Sequence, residues 1–519
     1  VRIALRRESD AWPITLAIGI FALFSIWAAI TSVGFLEADS CTHYLYSRFA
    51  LQDPSLLVNV WGRPICTALY AIPATLFGRL GVRFTSLLVA IGIGLVAYRI
   101  AKIQNYRWPA LALIFTLAQP LVFLHSFTEL TELPFALMLA LGFWAYQKRQ
   151  WLAMAILIGL TPLARPEGFG FVALAALALI VHRRWWWLAV LPIPLIAWNH
   201  AGWVLFGSEG PWWRWLRDNW PYSAQSLYTP GSIFHFVMLL PAVISPLMFP
   251  ALCIGIWRAF LPLPPGEGRG EGALNTQTSS QAQAPLTLFR TERELNQILI
   301  AAIPLLILVV HSVLYHFGKM ASNGELRYML VVAPFWTLLA ANGWERIFTR
   351  MNWSAPLRAA GIAALVPALV NLFYWKVLPL RLGDDWNQAR AIAAWYQHGE
   401  LRKNYPFICA AHPALFYFLD IPMVNAKLGS LEWGPQNVDH PPAGTLLIWD
   451  SIYGVYNADI KRSINEARLQ QAGWLIYELP HAEKESIWCI ALSPRDISGH
   501  PTTADSQSAL EKVLPASAR

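Results

Sequence analysis

Pro13 to Asp39 reads PITLAIGIFALFSIWAAITSVGFLEAD. From Pro13 to Phe35 it carries no charge, and such a run is long enough to cross about 30 Å of hydrocarbon, which takes about 20 residues. Arg2, Arg6 and Arg7 precede it, and this basic flank sets the N-terminus on the cytoplasmic side. The acidic pair Glu37-Ala38-Asp39 therefore emerges on the far side, where a membrane helix should leave the bilayer. Carboxylates cost about 2.5 to 3.5 kcal/mol at the centre of a membrane helix, so chains keep them beside the membrane for a reason.

The composition extends the same reading to the whole chain. Hydrophobic residues make up 56%, charged residues only 13%, and the mean hydropathy is +0.41, which places the protein among polytopic membrane proteins. The first span is too long for a signal-peptide core and more spans follow, so it reads as a retained helix. The net charge of +8 does not point to nucleic acid, because the basic residues are scattered in short loops beside apolar segments.

Hydropathy places helices near 13–35, 83–101, 109–125, 133–147, 151–165, 168–182, 186–206, 233–257, 297–317, 327–343 and 358–378, about eleven crossings. Alternation puts Arg99/Lys102/Arg107, Lys148/Arg149, Arg183/Arg184, Arg258 to Arg293 and Arg346/Arg350/Arg358 on the inner side. Trp108, Trp151, Trp185 to Trp187, Trp344 and Trp353 accompany these clusters, as an interfacial aromatic belt should. The expected location is a bacterial inner membrane, with the N-terminus cytoplasmic and the C-terminus periplasmic.

Three segments leave the membrane pattern. The first outer loop, 36–82, contains amphipathic stretches at Tyr44 to Leu51 and Ile65 to Leu80 that suit the interface. The inner loop 261–286 is rich in Pro, Gly, Ser and Gln and reads as a disordered, dispensable linker. From residue 380 onward, helical spacing at Asp385 to Arg402 and Ile464 to Ala472 alternates with short apolar runs. Those runs, Phe407 to Ala410, Leu446 to Trp449, Leu475 to Leu479 and Ile487 to Ala491, predict a small α/β domain over 380–500, with a flexible tail at 501–519. If the outer side is oxidising, Cys41 with Cys66, or Cys409 with Cys489, can bridge.

Sorted by topology, the unusual charges collect on the outer side. Glu37 and Asp39 open the first loop, and Arg63 lies within it. Glu129 and Glu132 sit in the short second loop, Arg165-Pro166-Glu167-Gly168 joins two helices, and Lys319, Glu325, Arg327 and Tyr328 join two more. An ordinary loop charge explains any one of them. Gathered at the mouths of several hairpins, they suggest a polar cavity at the membrane surface. His43, His125, His311 and His316 are scattered, without the spacing of a helical metal pair, and suit core or interfacial roles. Asp384-Asp385 and Asp450 suit a helix start and a strand end. No GxSxG, Walker or CxxC pattern occurs.

The stretch E-A-D-S-C-T-H-Y-L-Y-S-R-F-A, then H-S-F-T-E-L-T-E-L-P, A-R-P-E-G and E-L-R-Y-M-L-V-V-A-P-F-W-T-L-L-A-A-N-G, resembles in order the landmarks of the GT-C superfamily of membrane glycosyltransferases. The resemblance covers about residues 13–345 and rests on weak motifs taken together. It implies an α-helical polytopic catalytic domain over 1–379, followed by the periplasmic α/β domain. Many members carry adjacent Asp-Glu, whereas Ala38 separates the acids here, which leaves the choice of catalytic carboxylate open between Asp39 and Glu37. The implied reaction moves a sugar, with inversion, from a polyprenyl-phosphate donor to a glycan, lipid or protein acceptor.

The residue types suit that chemistry. Arg63, Arg165, Lys319 and Arg327 are candidates to counter the phosphate, since arginine meets phosphate oxygens with two N–H groups and keeps its charge near lipid. Asp39, with Glu37 behind it, is the candidate base for the acceptor hydroxyl. Glu129, Glu132 and Tyr328 suit sugar or acceptor contacts, and the two acids leave room for a divalent ion such as Mg or Mn. A transporter or flippase is the reading from another class. It would place its site on broken helices near the midplane, often within repeated halves, and no repeat is evident. A polysaccharide polymerase or ligase is a further alternative.

Overall fold

A computed structural model describes residues 10–207, 209–222, 226, 228–260, 292–350, 377–454, 466–478 and 488–502. The inner loop 261–286, most of the expected span 358–378 and nearly all of the tail 501–519 lie outside the described residues. The chain divides into two compact units, one of residues 1–29 and 83–378, the other of 30–82 and 379–519.

The helices of the first half are α1 (Ala11–Thr31), α2 (Ala38–Phe49), α3 (Pro64–Ile103), α4 (Ala110–Ala118), α5 (Pro120–His125), α6 (Glu132–Gln147), α7 (Trp151–Leu160), α8 (Gly168–Val181) and α9 (Ile193–Phe206). They are followed by α10 (Trp215–Asp218), α11 (His235–Ile244), α12 (Phe249–Ala259), α13 (Glu292–His316) and α14 (Ala333–Arg350). Among the described residues, α1, α3, α13 and the stretch Trp185–Phe206 ending in α9 are long and apolar enough to cross a membrane. The pair α11 and α12 adds a fifth if its 113° bend lies within one span. Leu23 on α1, Phe77 on α3 and Met238 on α11 are at least 66% exposed, apolar surface of the kind a bilayer covers favourably.

The breaks in these helices have local causes. The stretches expected as an interfacial helix and a separate span, Ile65 to Leu80 and 83–101, are two helical halves joined within α3, with the break at Gly78. Gly78 takes φ 60° and ψ −148°, a conformation open to glycine and strained for other residues. The expected span 109–125 is interrupted because Gln119 precedes Pro120, and a residue before proline is pushed out of the helical region. Gln119 has ψ 126°, and its amide donates to the Ala333 carbonyl at 2.9 Å. The expected span 327–343 begins as a 3-10 helix, Leu326–Val332, before α14 takes over.

The second unit is built on a five-stranded sheet of β1 (Phe407–Ala410), β2 (Ser430–Leu431), β3 (Thr445–Asp450), β4 (Leu475–Glu478) and β5 (Trp488–Leu492), in the order β2-β1-β3-β5-β4. β2, β1 and β3 run parallel, while β5 is antiparallel to β3 and to β4. Cys409, Val438, Leu447, Leu469 and Trp474 pack in one core beside the sheet. Helices α15 (Asp384–His398) and α16 (Pro413–Leu419) also belong to this unit.

Residues 30–82 are built into the same unit as the sheet. Phe35 meets Tyr417 edge-on at 5.0 Å and Trp386 at 5.4 Å, and the Arg79 guanidinium lies 5.0 Å from the centre of the Phe35 ring. Arg79 also donates to the Val33 carbonyl at 2.7 Å, Cys41 Sγ to the Pro413 carbonyl at 3.8 Å, and Asn425 Nδ2 to Asp53 at 2.9 Å. The first outer loop is thus part of a domain whose sheet lies more than three hundred residues later in the chain.

All five cysteines are free, so neither expected bridge is formed. For Cys409 and Cys489 the sheet order gives the reason. β3 lies between β1 and β5, which separates their backbones by about 9.5 Å, beyond the roughly 7 Å that a disulfide spans. Burial pushes the Cys409 thiol up to about 12.

Candidate active site

In the first unit, the acids and bases of three hairpin mouths form one network. Glu132 is the first residue of α6 and wholly buried, where the positive end of the helix dipole favours a carboxylate. Arg165 leaves the 3-10 turn after α7 and donates through Nη1 to Glu132 Oε1 at 2.5 Å and to Thr131 Oγ1 at 3.1 Å. Its Nε and Nη2 reach Glu167, the residue before α8, at 3.2 and 3.0 Å. Arg165 and Glu167 thus meet across Pro166. Burial opposes ionisation of Glu167, yet Arg165 and His311 hold its carboxyl far below the ordinary range.

The third contribution comes from the segment after α13. Arg327 is ion-paired to Glu325 and lies 3.8 Å from Glu132 Oε1. Tyr328 donates to Asn323 Oδ1 at 2.6 Å, stacks on His311 at 4.8 Å, and has the Arg165 guanidinium 5.8 Å from its ring centre. His311, on the last turns of α13, brings Nε2 within 3.4 Å of Glu167 Oε1. Two arginines thus share three carboxylates, so the guanidiniums are largely neutralised. Lys319, on the same connecting segment, is exposed and its ammonium meets no partner among the described residues.

Glu129 is placed differently from Glu132. Its carboxylate pairs with Arg83 at 3.0 Å, both side chains fully withdrawn from solvent, and Arg83 also donates to the Ala29 carbonyl at 2.8 Å. Sequence reasoning passed over Arg83 as the start of a span. An arginine inside an otherwise apolar helix was the signal that it needs an acidic partner. Among the described residues no group of three or more His, Cys, Asp or Glu side chains could hold a metal ion. Glu129 and Glu132 each face arginines, a poor fit to a divalent cation.

Glu37, Asp39 and Arg63 belong to the second unit. Glu37 holds the N-cap position of α2 without a side-chain capping bond, and Asp39 lies in its first turn, again at the positive end of a helix dipole. Arg63 is buried with φ 63°, and its Nη1 donates to the Val60 carbonyl at 3.0 Å. Around Asp39 the fold gathers groups that the sequence did not connect. Tyr453 is held in its neutral form first by burial and then by Asp385, Asp450 and Asp39. His412 is fully buried and lies 3.4 Å from Asp385 and 4.4 Å, ring to ring, from Tyr453. Asp385 does sit in the first turn of α15 and Asp450 at the end of β3, but both also face this cluster. Burial raises the Asp450 carboxyl, whose Oδ1 accepts from the backbone N–H of Ile452 and Tyr453 while Oδ2 has no hydrogen-bond partner.

The chain thus has a mostly helical body with a buried ion network at its hairpin mouths, and an acid-headed helix in the first loop. Among solved structures, ArnT from Cupriavidus metallidurans bound to undecaprenyl phosphate is similar to the chain, with a TM-score of 0.56 and 14% identity. The likeness covers 93% of this chain and 98% of that one. The apo state of the same protein is similar over the same shares, with a TM-score of 0.56 and 13% identity. At such identity the likeness is one of fold. No family profile and no curated protein matches the chain.

Proposed function

We propose that this protein transfers a sugar from a polyprenyl-phosphate donor to an acceptor at the periplasmic face of a bacterial inner membrane. The observation that carries the reading is the fold shared, over nearly the whole of both chains, with an ArnT structure holding undecaprenyl phosphate. The first unit agrees with it, because Lys319, on the segment that also carries Arg327, offers a cation unengaged among the described residues.

In this reading the acceptor hydroxyl attacks the anomeric carbon as the bond from that carbon to the phosphate oxygen breaks. The configuration inverts, the hydroxyl proton passes to Asp39, and polyprenyl phosphate leaves as an anion. Lys319 supplies the charge that counters the leaving phosphate, while Arg165 and Arg327, held by their carboxylates, add preorganised N–H donors toward it. Glu132 and Glu167 hold the Arg165 fork in place, and Tyr328 supplies a ring and hydroxyl for the sugar.

Purified protein given a panel of polyprenyl-phosphate sugars should release polyprenyl phosphate from one of them as an acceptor is glycosylated. Transport of the intact lipid-linked sugar without cleavage would favour a flippase. Orientation is testable by single cysteines at Lys148, Lys319 and Glu400 in a chain lacking Cys253. An impermeant thiol reagent added from the periplasm should label the last two and spare the first.

A further inference from the structure

At the far end of α6 from Glu132, the helices α6, α7, α8 and α13 enclose a cavity of about 270 Å³. Phe143, Met154, Ala175, Ala178 and Leu299 give it an apolar wall, and Tyr146 with His182 closes its polar end at 3.4 Å. Leu174, Leu177 and Val181 line it too and are at least 40% exposed, so it opens sideways toward the lipid side of α8.

Four cations follow the two helices that carry this polar end. Lys148 and Arg149 follow α6, and Arg183 and Arg184 follow α8. Arg149 is paired with Glu292 at 2.6 Å, whereas Lys148, Arg183 and Arg184 have no carboxylate partner among the described residues. Lys148 lies over Trp144 at 5.6 Å and Arg184 over Trp151 at 5.9 Å, which keeps both at the interface. Arg149 and Arg183 both take φ 56°, each at a helix end where glycine would be less strained. The helix C-termini absorb part of this charge. Three unpaired cations beside an apolar cavity remain, the arrangement that recognises an acidic lipid headgroup.

We propose that an anionic phospholipid docks here, with part of one acyl chain in the cavity and its phosphate against Lys148, Arg183 and Arg184. The polar end of this cavity is distinct from the ion network at Glu132, since the two ends of α6, Glu132 and Gln147, lie about 22 Å apart.

The full chain in detergent, incubated with phosphatidylglycerol, phosphatidylcholine or undecaprenyl phosphate and analysed by native mass spectrometry, tests the idea. Phosphatidylglycerol should be retained over phosphatidylcholine, and the preference should fall about fivefold for each of Arg183→Gln and Arg184→Gln. Both side chains are exposed, so these variants should fold. Ala178→Phe, which fills the cavity, should lower retention of phosphatidylglycerol with the arginines intact. Equal retention of the two phospholipids by the unaltered protein would overturn the proposal. So would an unchanged preference in the arginine variants, or displacement of phosphatidylglycerol by undecaprenyl phosphate. None of these outcomes depends on sugar transfer.

Discussion

Arg83 on α3 and Glu129 before α6 form an ion pair at 3.0 Å from which solvent is wholly excluded. Removing one partner of such a pair leaves the other charge buried and uncompensated, which typically costs about 3–5 kcal/mol, while replacing both by apolar residues is often neutral. Arg83→Met should therefore lower the melting temperature sharply, and Arg83→Met with Glu129→Leu should recover much of the loss. Melting followed by size exclusion in detergent reads this out. A single variant as stable as the parent would remove Glu129 from the structural framework.

Asp39→Asn keeps size and most hydrogen bonding but removes the charge that accepts a proton. Turnover should fall by about 10² to 10⁴, the usual contribution of a positioned base. Donor binding should barely change, and Glu37→Gln should lose much less. If Glu37→Gln abolishes transfer while Asp39→Asn retains it, the role belongs two residues earlier.

Lys319→Ala and Arg165→Lys probe different parts of the phosphate reading. Lys319 has no side-chain partner to abandon among the described residues, so its removal should act on the donor alone. A lost charge-assisted hydrogen bond of about 1.5–3 kcal/mol predicts a rise in donor KM of roughly ten- to a hundredfold at unchanged stability. Arg165→Lys keeps charge but cannot fork between Glu132 and Glu167, so it should lower both turnover and melting temperature. An unaltered donor KM in Lys319→Ala would assign the phosphate to other groups.

Asp450 gives a pH signature. Its carboxyl is raised by burial, so the folded state prefers the protonated form. Stability is then greatest below the unfolded value of about 3.9 and declines as pH rises from there through the folded value. Asp450→Asn keeps an oxygen for the N–H groups of Ile452 and Tyr453 and cannot ionise. It should melt higher than the parent at pH 7.5, with the gain shrinking toward pH 4. A gain that grows on acidification would reverse the assignment.

The membrane class, the helical sequence pattern and the acid-base charges at the loop mouths were legible because each is written locally. Hydropathy finds α1, and Arg165-Pro166-Glu167 announces a charged turn. The partners of those charges were not legible. Nothing near Glu129 in the sequence names Arg83, and nothing near Glu132 distinguishes it from Glu129. The kink at Gly78 was not legible, because a glycine that bends a helix and one that ends it look alike in sequence. The cluster of Asp39, Asp385, His412 and Tyr453 depends on contacts across some 370 residues, as Cys41 with Pro413 illustrates, and no local periodicity encodes them.

The union of residues 30–82 with 379–519 also sets an order of assembly. During synthesis the first loop leaves the ribosome about 300 residues before the strands that complete its domain. At about 5–20 residues per second, that interval is roughly 15 to 60 seconds. Throughout it Phe35, Tyr44 and Arg79 lack Tyr417, Trp386 and the sheet, while the intervening helices are being inserted. The loop therefore has to wait unfinished beside the membrane, and chains released before the sheet is made would carry it as an exposed aromatic surface, the natural mark for quality-control proteases.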